Sequence, residues 1–388
     1  MSEAILARLR ERILAASASS TTLAPVGGGT KAFYGNRCTG EAPPQPLSVR
    51  DLTGLVAYEP SELVVVARAG TPLVELESAL AERGQMLGFE PPHFGPGATI
   101  GGCVAAGLSG PRRMAAGAVR DFVLGIRLLD AQARELSFGG QVMKNVAGYD
   151  VSRLMAGSLG TLGLLTEVSL KVLPRPAAES TVRLPMSQAQ ALQAFDTWAG
   201  QPLPISAMSW FEEIASIRFS GARAAVLAAV DELGQGRAAE DPIAAQAYWT
   251  SLREQTHPFF QSMPMFESTH AAQGSVAQDS ADSADSGIAL WRLALPSRVS
   301  PLAIPGSDST LIEWGGAQRW IHSTADAAQI RSVVAGVGGH ATRFRAPADS
   351  AAPAFSPLAP ALLKIQRNLK RVFDPQGLFN PGRLHPQA

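Results

Sequence analysis

Gly95-Pro96-Gly97-Ala98-Thr99-Ile100-Gly101-Gly102 is the most informative stretch of this sequence. Small residues continue beyond it through Ala105, Ala106, Gly107 and Ser109 to Gly110. Two readings fit. Either something flat or extended lies against a bare backbone, or a small-residue helix packs closely on a sheet. A helix that starts here can do both, packing tightly while its first N–H groups face an anion. The spacing misses GxGxxG, which argues against a Rossmann dinucleotide site.

Upstream lies Pro25-Val26-Gly27-Gly28-Gly29-Thr30-Lys31, at the end of the strand-like Leu23 to Val26. Three glycines permit positive φ, so successive N–H groups can share one concavity suited to a pyrophosphate. Thr30 adds a hydroxyl and Lys31 a charge. A tight loop without ligand is the competing reading. No GxxxxGK[ST] spacing fits, so this is not a Walker A loop. Downstream, Gly148-Tyr149-Asp150 precedes Gly157-Ser158-Leu159-Gly160-Thr161-Leu162-Gly163. Glycines at three-residue spacing before a strand again favour close backbone approach. Asp150 is expected to cap a short helix from Val151 to Ala156.

The 388 residues carry 33 basic and 33 acidic side chains, which argues against a nucleic-acid or anionic-membrane partner. At 46% hydrophobic residues the chain can build a large core. Cys38 and Cys103 form no CxxC pair, so neither zinc nor an iron–sulfur cluster has a local scaffold, and no metal is expected. Ile5, Leu6, Leu9 and Ile13, interleaved with charges, read as an amphipathic helix and not a signal peptide. A cysteine-poor, signal-free chain is expected to be cytoplasmic, and since no apolar run reaches bilayer length, membrane contact is expected only through partners.

Thr71 and Pro72 are expected to cap and open a helix bearing Leu73, Leu76 and Leu80. Leu63 to Ala67 and Phe122 to Asp130 read as strands, the latter paired with Leu136 to Phe138. Leu162 to Val172 is one long strand or a pair, stopped by Pro174 and Pro176. Beyond that boundary, helices are expected over Ser187 to Trp198, Ala222 to Leu233 and Ala325 to Val337. Strands are expected over Ile288 to Leu295, Leu311 to Ile321 and Ala341 to Arg345. Two strands, a helix and a strand suggest half of a ferredoxin-like layer, with the earlier helices supplying the rest. Residues 269–287 read as a flexible loop. From Pro360 a basic helix leads to the tail.

The order of the three glycine stretches resembles the FAD-binding PCMH domain of the vanillyl-alcohol-oxidase superfamily. The tail Phe373-Asp374-Pro375-Gln376-Gly377-Leu378-Phe379-Asn380-Pro381-Gly382-Arg383 is similar to the FDPxxxFNPG ending of its FAD-linked oxidase branch. With Lys144 to Val151 and Glu313 to Trp320, the layout resembles the E-subunit family of bacterial glycolate oxidases. The resemblance implies an α+β chain. A PCMH-type two-subdomain FAD-binding domain would span 1–175 and a ferredoxin-like α/β cap 176–346. A segment over 347–388 would return to the FAD domain. It implies that Val26, Gly27, Gly28, Gly29 and Thr30, with Gly101, Gly102, Ala105, Ala106, Gly107, Ser109 and Gly110, hold the pyrophosphate, and that Pro25, Lys31, Gly97, Ala98 and Thr99 also bind the cofactor. Gly157, Ser158, Gly160, Thr161, Gly163 and Leu165 would line the adenosine and ribityl part, and Asn380 would approach the isoalloxazine edge. The first loop contains no histidine, so non-covalent FAD is expected. A thioether to Cys103 is the remaining covalent route, beside its reading as a small buried residue.

The resemblance further implies glycolate as substrate, a D-like FAD subunit and an iron–sulfur subunit as partners, and a place at the inner membrane only through that complex. Oxidising a 2-hydroxy acid needs a base for the hydroxyl proton and a cation for the carboxylate. Of the six histidines, His322 is the best base candidate, with a satisfied surface histidine as the plainer reading. Arg319 and Arg345 can reach a carboxylate or serve in surface ion pairs. An accessory redox subunit and a self-contained FAD-linked 2-hydroxy-acid dehydrogenase both stay open, the lack of a histidine cluster favouring the first.

Overall fold

The computed structural model describes residues 2–40, 42–140, 150–234, 236–261, 287–347 and 352–386. The Lys144 to Tyr149 motif, His270 and nearly all of the expected loop 269–287 lie outside these residues.

The opening helix, Ser2–Ala18, buries Leu6, Leu9, Ile13 and Ala16, the face its spacing predicts. Leu23–Val26 then pairs in parallel with Gln45–Ser48, and Leu23 also bridges to Phe379 of the tail. Five antiparallel strands form the first large sheet, in the order Leu55–Glu59, Val64–Arg68, Leu164–Lys171, Val123–Leu129, Glu135–Gly139. Val64–Arg68 and Leu164–Lys171 are buried almost throughout, which their unbroken apolar character requires. Thr71 does not cap the following helix. That helix begins at Leu73 with Pro72 at the cap position, while the Thr71 hydroxyl is held by the backbone of Gly54.

The second sheet has seven antiparallel strands, in the order Ala178–Pro185, Ile214–Gly221, Ile205–Phe211, Thr310–Glu313, Gln318–Ser323, Ala289–Ala294, His340–Arg345. It exceeds the half ferredoxin layer expected. The hairpin Ile205–Phe211/Ile214–Gly221 turns at Glu212 and Glu213, both at positive φ (45° and 61°). Asn-Gly or Asp-Gly is the usual signal for such a turn, and the sequence carries none. The single strand expected over Leu311 to Ile321 is also a hairpin. Trp314–Gly316 reverses the chain, with positive φ at all three residues. Helix Pro242–Glu254, not among the expected helices, has a readable start, with Asp241 as N-cap and Pro242 at the first position.

Helices Gln188–Ala199 and Arg223–Gly234 cover one face of this sheet around Phe195, Ile217 and Val226. On the other face Leu290, Leu311, Trp320 and Phe344 pack against Tyr34, Ala106, Leu108 and Leu159. The glycine-rich half and the second sheet therefore share a core. No helix among the described residues is long and apolar enough to cross a membrane.

Candidate functional site

The first glycine loop is built to present amides. Arg50 donates to the carbonyls of Gly27 (3.0 Å) and Gly28 (2.9 Å), and the Gly29 carbonyl accepts from the Ala32 N–H (3.0 Å). In a trans peptide the next residue's N–H points the opposite way. The amides of Gly28, Gly29 and Thr30 are thus turned from those partners, and none bonds to a described residue. Such a nest suits an anion. Thr30 and Lys31 do not face it as free donors. Thr30 Oγ1 (2.7 Å) and Lys31 Nζ (3.1 Å) both donate to the His93 carbonyl. Burial lowers the Lys31 pKa.

The second stretch packs more than it presents. Thr99 caps helix Ile100–Ala106, accepting from Gly102 N. The Ile100 and Gly101 amides are taken by the carbonyls of Thr71 and Ala69. The helix start therefore does not offer those N–H groups to phosphate, because strand Val64–Arg68 and the turn after it use them first. A Cβ on Gly101 would lie 2.7 Å from Ala69 Cβ, so close helix–sheet packing is the reason for that glycine.

The three stretches meet one another. A Cβ on Gly27 would lie 2.1 Å from Thr99 Oγ1, and one on Gly28 1.5 Å from the Gly97 carbonyl oxygen. A Cβ on Gly107 would lie 2.8 Å from Gly157 Cα, and one on Gly160 3.2 Å from both Pro25 and Asn380. Asn380 is buried and committed to structure. Its Nδ2 donates to the Leu159 carbonyl (2.8 Å) and its backbone N–H to Leu23 (2.9 Å). Buried Asp374 fixes this tail by accepting from the Leu378 and Phe379 amides and from Lys370 Nζ, which also donates to Thr161 O and Phe379 O. Gly163 and Leu165 belong to the sheet core instead of a ligand surface, Gly163 lying against Leu129 and Leu165 pairing with Leu128. Thr161 Oγ1 donates to Ser158 O, Ser109 Oγ accepts from Val119 N, and Gly110 O accepts from Trp314 Nε1. Cys103 is fully buried and its pKa is pushed up to about 12 by desolvation. A neutral thiol is a poor nucleophile, which argues against a thioether.

Between Ser109 and the second sheet lies a narrow slot lined by Phe94, Arg292, Glu313, Trp320 and Phe344. Glu313 Oε2 accepts from Trp320 Nε1 (2.7 Å) and Gln318 Nε2 (3.0 Å). Desolvation raises its pKa to about 7 against those two donors, with the nearby charge of Glu90 adding to the rise. An acid raised from its usual 4.5 stabilises the fold fully below that pH, and the contribution is lost as pH rises through about 7. The limit is about 3 kcal/mol. Glu313→Gln is therefore expected to gain on the parent in unfolding free energy by up to about 3 kcal/mol on going from about pH 5 to about pH 8. Denaturant titrations at both pH values check this, and a pH-independent difference would contradict it.

The catalytic candidates do not converge on this slot. Side chains alternate along a strand, so Arg319 points to the face opposite Gln318 and Trp320. Its guanidinium is buried and donates to the Ser300 (2.9 Å) and Val299 carbonyls. Burial lowers its pKa to about 10. His322 stacks on Phe259 with centroids 4.7 Å apart, and burial lowers its pKa. Arg345 lies 3.7 Å over the Phe33 ring and donates to Gln255 Oε1 (3.1 Å), its pKa lowered by burial to about 10. Sequence reasoning missed Arg292 and Glu313, though each is a lone charge in an apolar strand (Ala289–Ala294 and Thr310–Glu313). It also missed the bonds joining the two halves. Glu90 lies between Arg112 and Arg218, with Arg218 Nη1 at 2.9 Å, and Arg112 reaches Glu179 at 2.6 Å. Burial alone would raise the Glu90 pKa, but the two guanidinium groups hold it below the usual range.

Residues 6–139 match a family model described as an FAD binding domain. The glycolate oxidase subunit GlcE of Escherichia coli is 45% identical over 379 residues, spanning 98% of this chain and 97% of that one. The chain belongs to that family. The glycolate oxidase subunit GlcD of Bacillus subtilis is 30% identical over 163 residues, 41% of this chain and 33% of that protein. A cytochrome-type D-lactate dehydrogenase of Saccharomyces cerevisiae is 30% identical over 146 residues, 38% of this chain and 23% of that one. The solved structure of an alkyldihydroxyacetonephosphate synthase superposes with a TM-score of 0.63 at 16% identity. It covers 96% of this chain and 75% of that one, which shows a shared fold.

Proposed function

We propose that the chain is the FAD-carrying subunit of a glycolate-oxidising complex and takes part in converting glycolate to glyoxylate. Bound FAD supplies a two-electron acceptor, and electrons pass to a D-like flavoprotein subunit and an iron–sulfur subunit. The observation that carries this reading is the full-length match to a GlcE subunit, joined to a nest of three unpartnered amides held by Arg50. Residues 1–175 form the FAD domain in this reading, 176–346 the cap and 347–388 the returning segment. The holding is non-covalent: the nest has no histidine, and Cys103 is neutral and buried. Leu362, Ile365 and Val372 on the basic helix Pro360–Phe373 are exposed, as a surface covered by a partner subunit would be.

The slot bearing Arg292 and Glu313 supports a second reading, a self-contained FAD-linked 2-hydroxy-acid dehydrogenase. Adding glycolate to the purified yellow chain separates the two. The accessory reading expects the flavin to bleach only when the D-like partner is present. Bleaching of the chain alone would overturn it, and a colourless chain that cannot be reconstituted with FAD would overturn both.

A further inference from the structure

Arg292 and Glu313 line one slot and are not ion-paired with each other. Arg292 lies across from Trp320 in the register, and Glu313 across from Gln318, two residues along the same strand and so on the same face. Each is fixed by neighbours and left with unused capacity. One Arg292 nitrogen donates to the Tyr34 hydroxyl (3.0 Å), and the guanidinium lies 5.7 Å from the Tyr34 ring centre and 5.6 Å from that of Phe344. It has no carboxylate partner among the described residues. A guanidinium has five N–H donors in a rigid fork, so a bidentate face remains for a carboxylate. On Glu313 both donors go to Oε2, and Oε1 bonds to no described residue. Arg253 also lines the slot but is neutralised by Glu254 at 2.7 Å.

We propose that this slot is a small-carboxylate site belonging to this chain itself, with Arg292 taking the carboxylate and Glu313 Oε1 the adjoining hydroxyl of a two-carbon 2-hydroxy acid. An opposite pair held apart in one slot fits a guest with complementary ends. The walls set the size limit. As it stands the slot has room for about one water. A five-atom guest is larger than this space, so admission requires the walls at Phe94 and Phe344 to open, and each added carbon requires more. The site goes beyond the accessory reading, because a purely electron-relaying subunit needs no acid site of its own.

Trp320 lines the slot and Trp314 lies at the adjoining turn, so binding is readable as tryptophan fluorescence of the full FAD-loaded chain. The probes are glycolate, acetate and a bulky 2-hydroxy acid such as mandelate. Glycolate is expected to bind more tightly than acetate, and mandelate not at all. Arg292→Met should weaken glycolate and acetate alike by about tenfold or more, a loss of about 1.4 kcal/mol or more. Arg292→Lys should recover only part, since it lacks the fork. Glu313→Gln should keep acetate binding and lose most of the preference for glycolate over acetate. Flavin content and circular dichroism confirm that each variant folds. No glycolate binding by the parent, or unchanged binding by Arg292→Met, overturns the site. If Arg292-dependent binding occurs without flavin bleaching, the site stands whatever becomes of the chain's part in oxidation. If the assembled complex oxidises glycolate while this chain binds none, the proposed function stands and the site falls.

Discussion

Gly28→Val is expected to give a folded chain that purifies nearly free of FAD. The new Cβ would lie 1.5 Å from the Gly97 carbonyl oxygen and 2.3 Å from its carbon. Cβ is fixed by the backbone, and the atoms it meets are backbone, so no rotamer relieves the clash. The two loops must part, and the Gly28, Gly29 and Thr30 amides lose their common aim. A fall in FAD affinity of about a hundredfold or more is expected, or about 2.7 kcal/mol. The ratio of flavin to protein absorbance after purification and reconstitution measures it. Gly29→Ala is the contrast. Its Cβ meets nothing within 4 Å, and only its φ of +75° opposes the change, at a cost of about 1 kcal/mol. Full flavin content in Gly28→Val would mean that the loop contact is not what shapes the nest.

Glu90→Ala should be the most destabilising single charge removal across the two halves. Glu90 accepts from Arg218 Nη1 and Nη2, both at 2.9 Å, and from the Arg112 backbone N–H at 2.7 Å. Both arginines are almost wholly buried, so removing the carboxylate leaves two cations with the half-exposed Glu179 as their remaining acidic partner. Breaking such a pair from one side costs about 3–5 kcal/mol. Arg218→Met should cost a comparable amount, and the double variant much less than the sum. Urea unfolding of the four proteins gives the coupling, and strict additivity would show that Glu90 and Arg218 act separately.

The glycine stretches were legible because their requirement is local: a backbone without Cβ can be read residue by residue. What the sequence did not show is that the stretches serve each other as much as a ligand. Gly101 packs on Ala69, Gly107 on Gly157 and Gly160 on Pro25. The substrate side was illegible for a reason of parity. Reading residues 311–321 as one strand removes the reversal at Trp314–Gly316, and with it the register that sets Glu313 opposite Gln318. A strand's two faces are separated by a single residue, so without the register there was no reason to set Arg319 aside. Arg292 sits on a third strand and enters the slot only through its pairing with Trp320. The hairpin at Glu212–Glu213 was missed because two glutamates hold positive φ where glycine or asparagine is expected.

The bridge between Leu23 and Phe379 bears on when the cofactor can be captured. The strand that delivers the nest is flanked on one side by Gln45–Ser48 and on the other by a segment from the far end of the described residues. Contacts of such separation in sequence close late, because the intervening chain must be ordered first. A chain still emerging from the ribosome can complete the first sheet before residues 374–380 exist, yet its nest would rest on an unfinished edge. A chain cut before Phe379 is therefore expected to carry the nest beside an open strand edge.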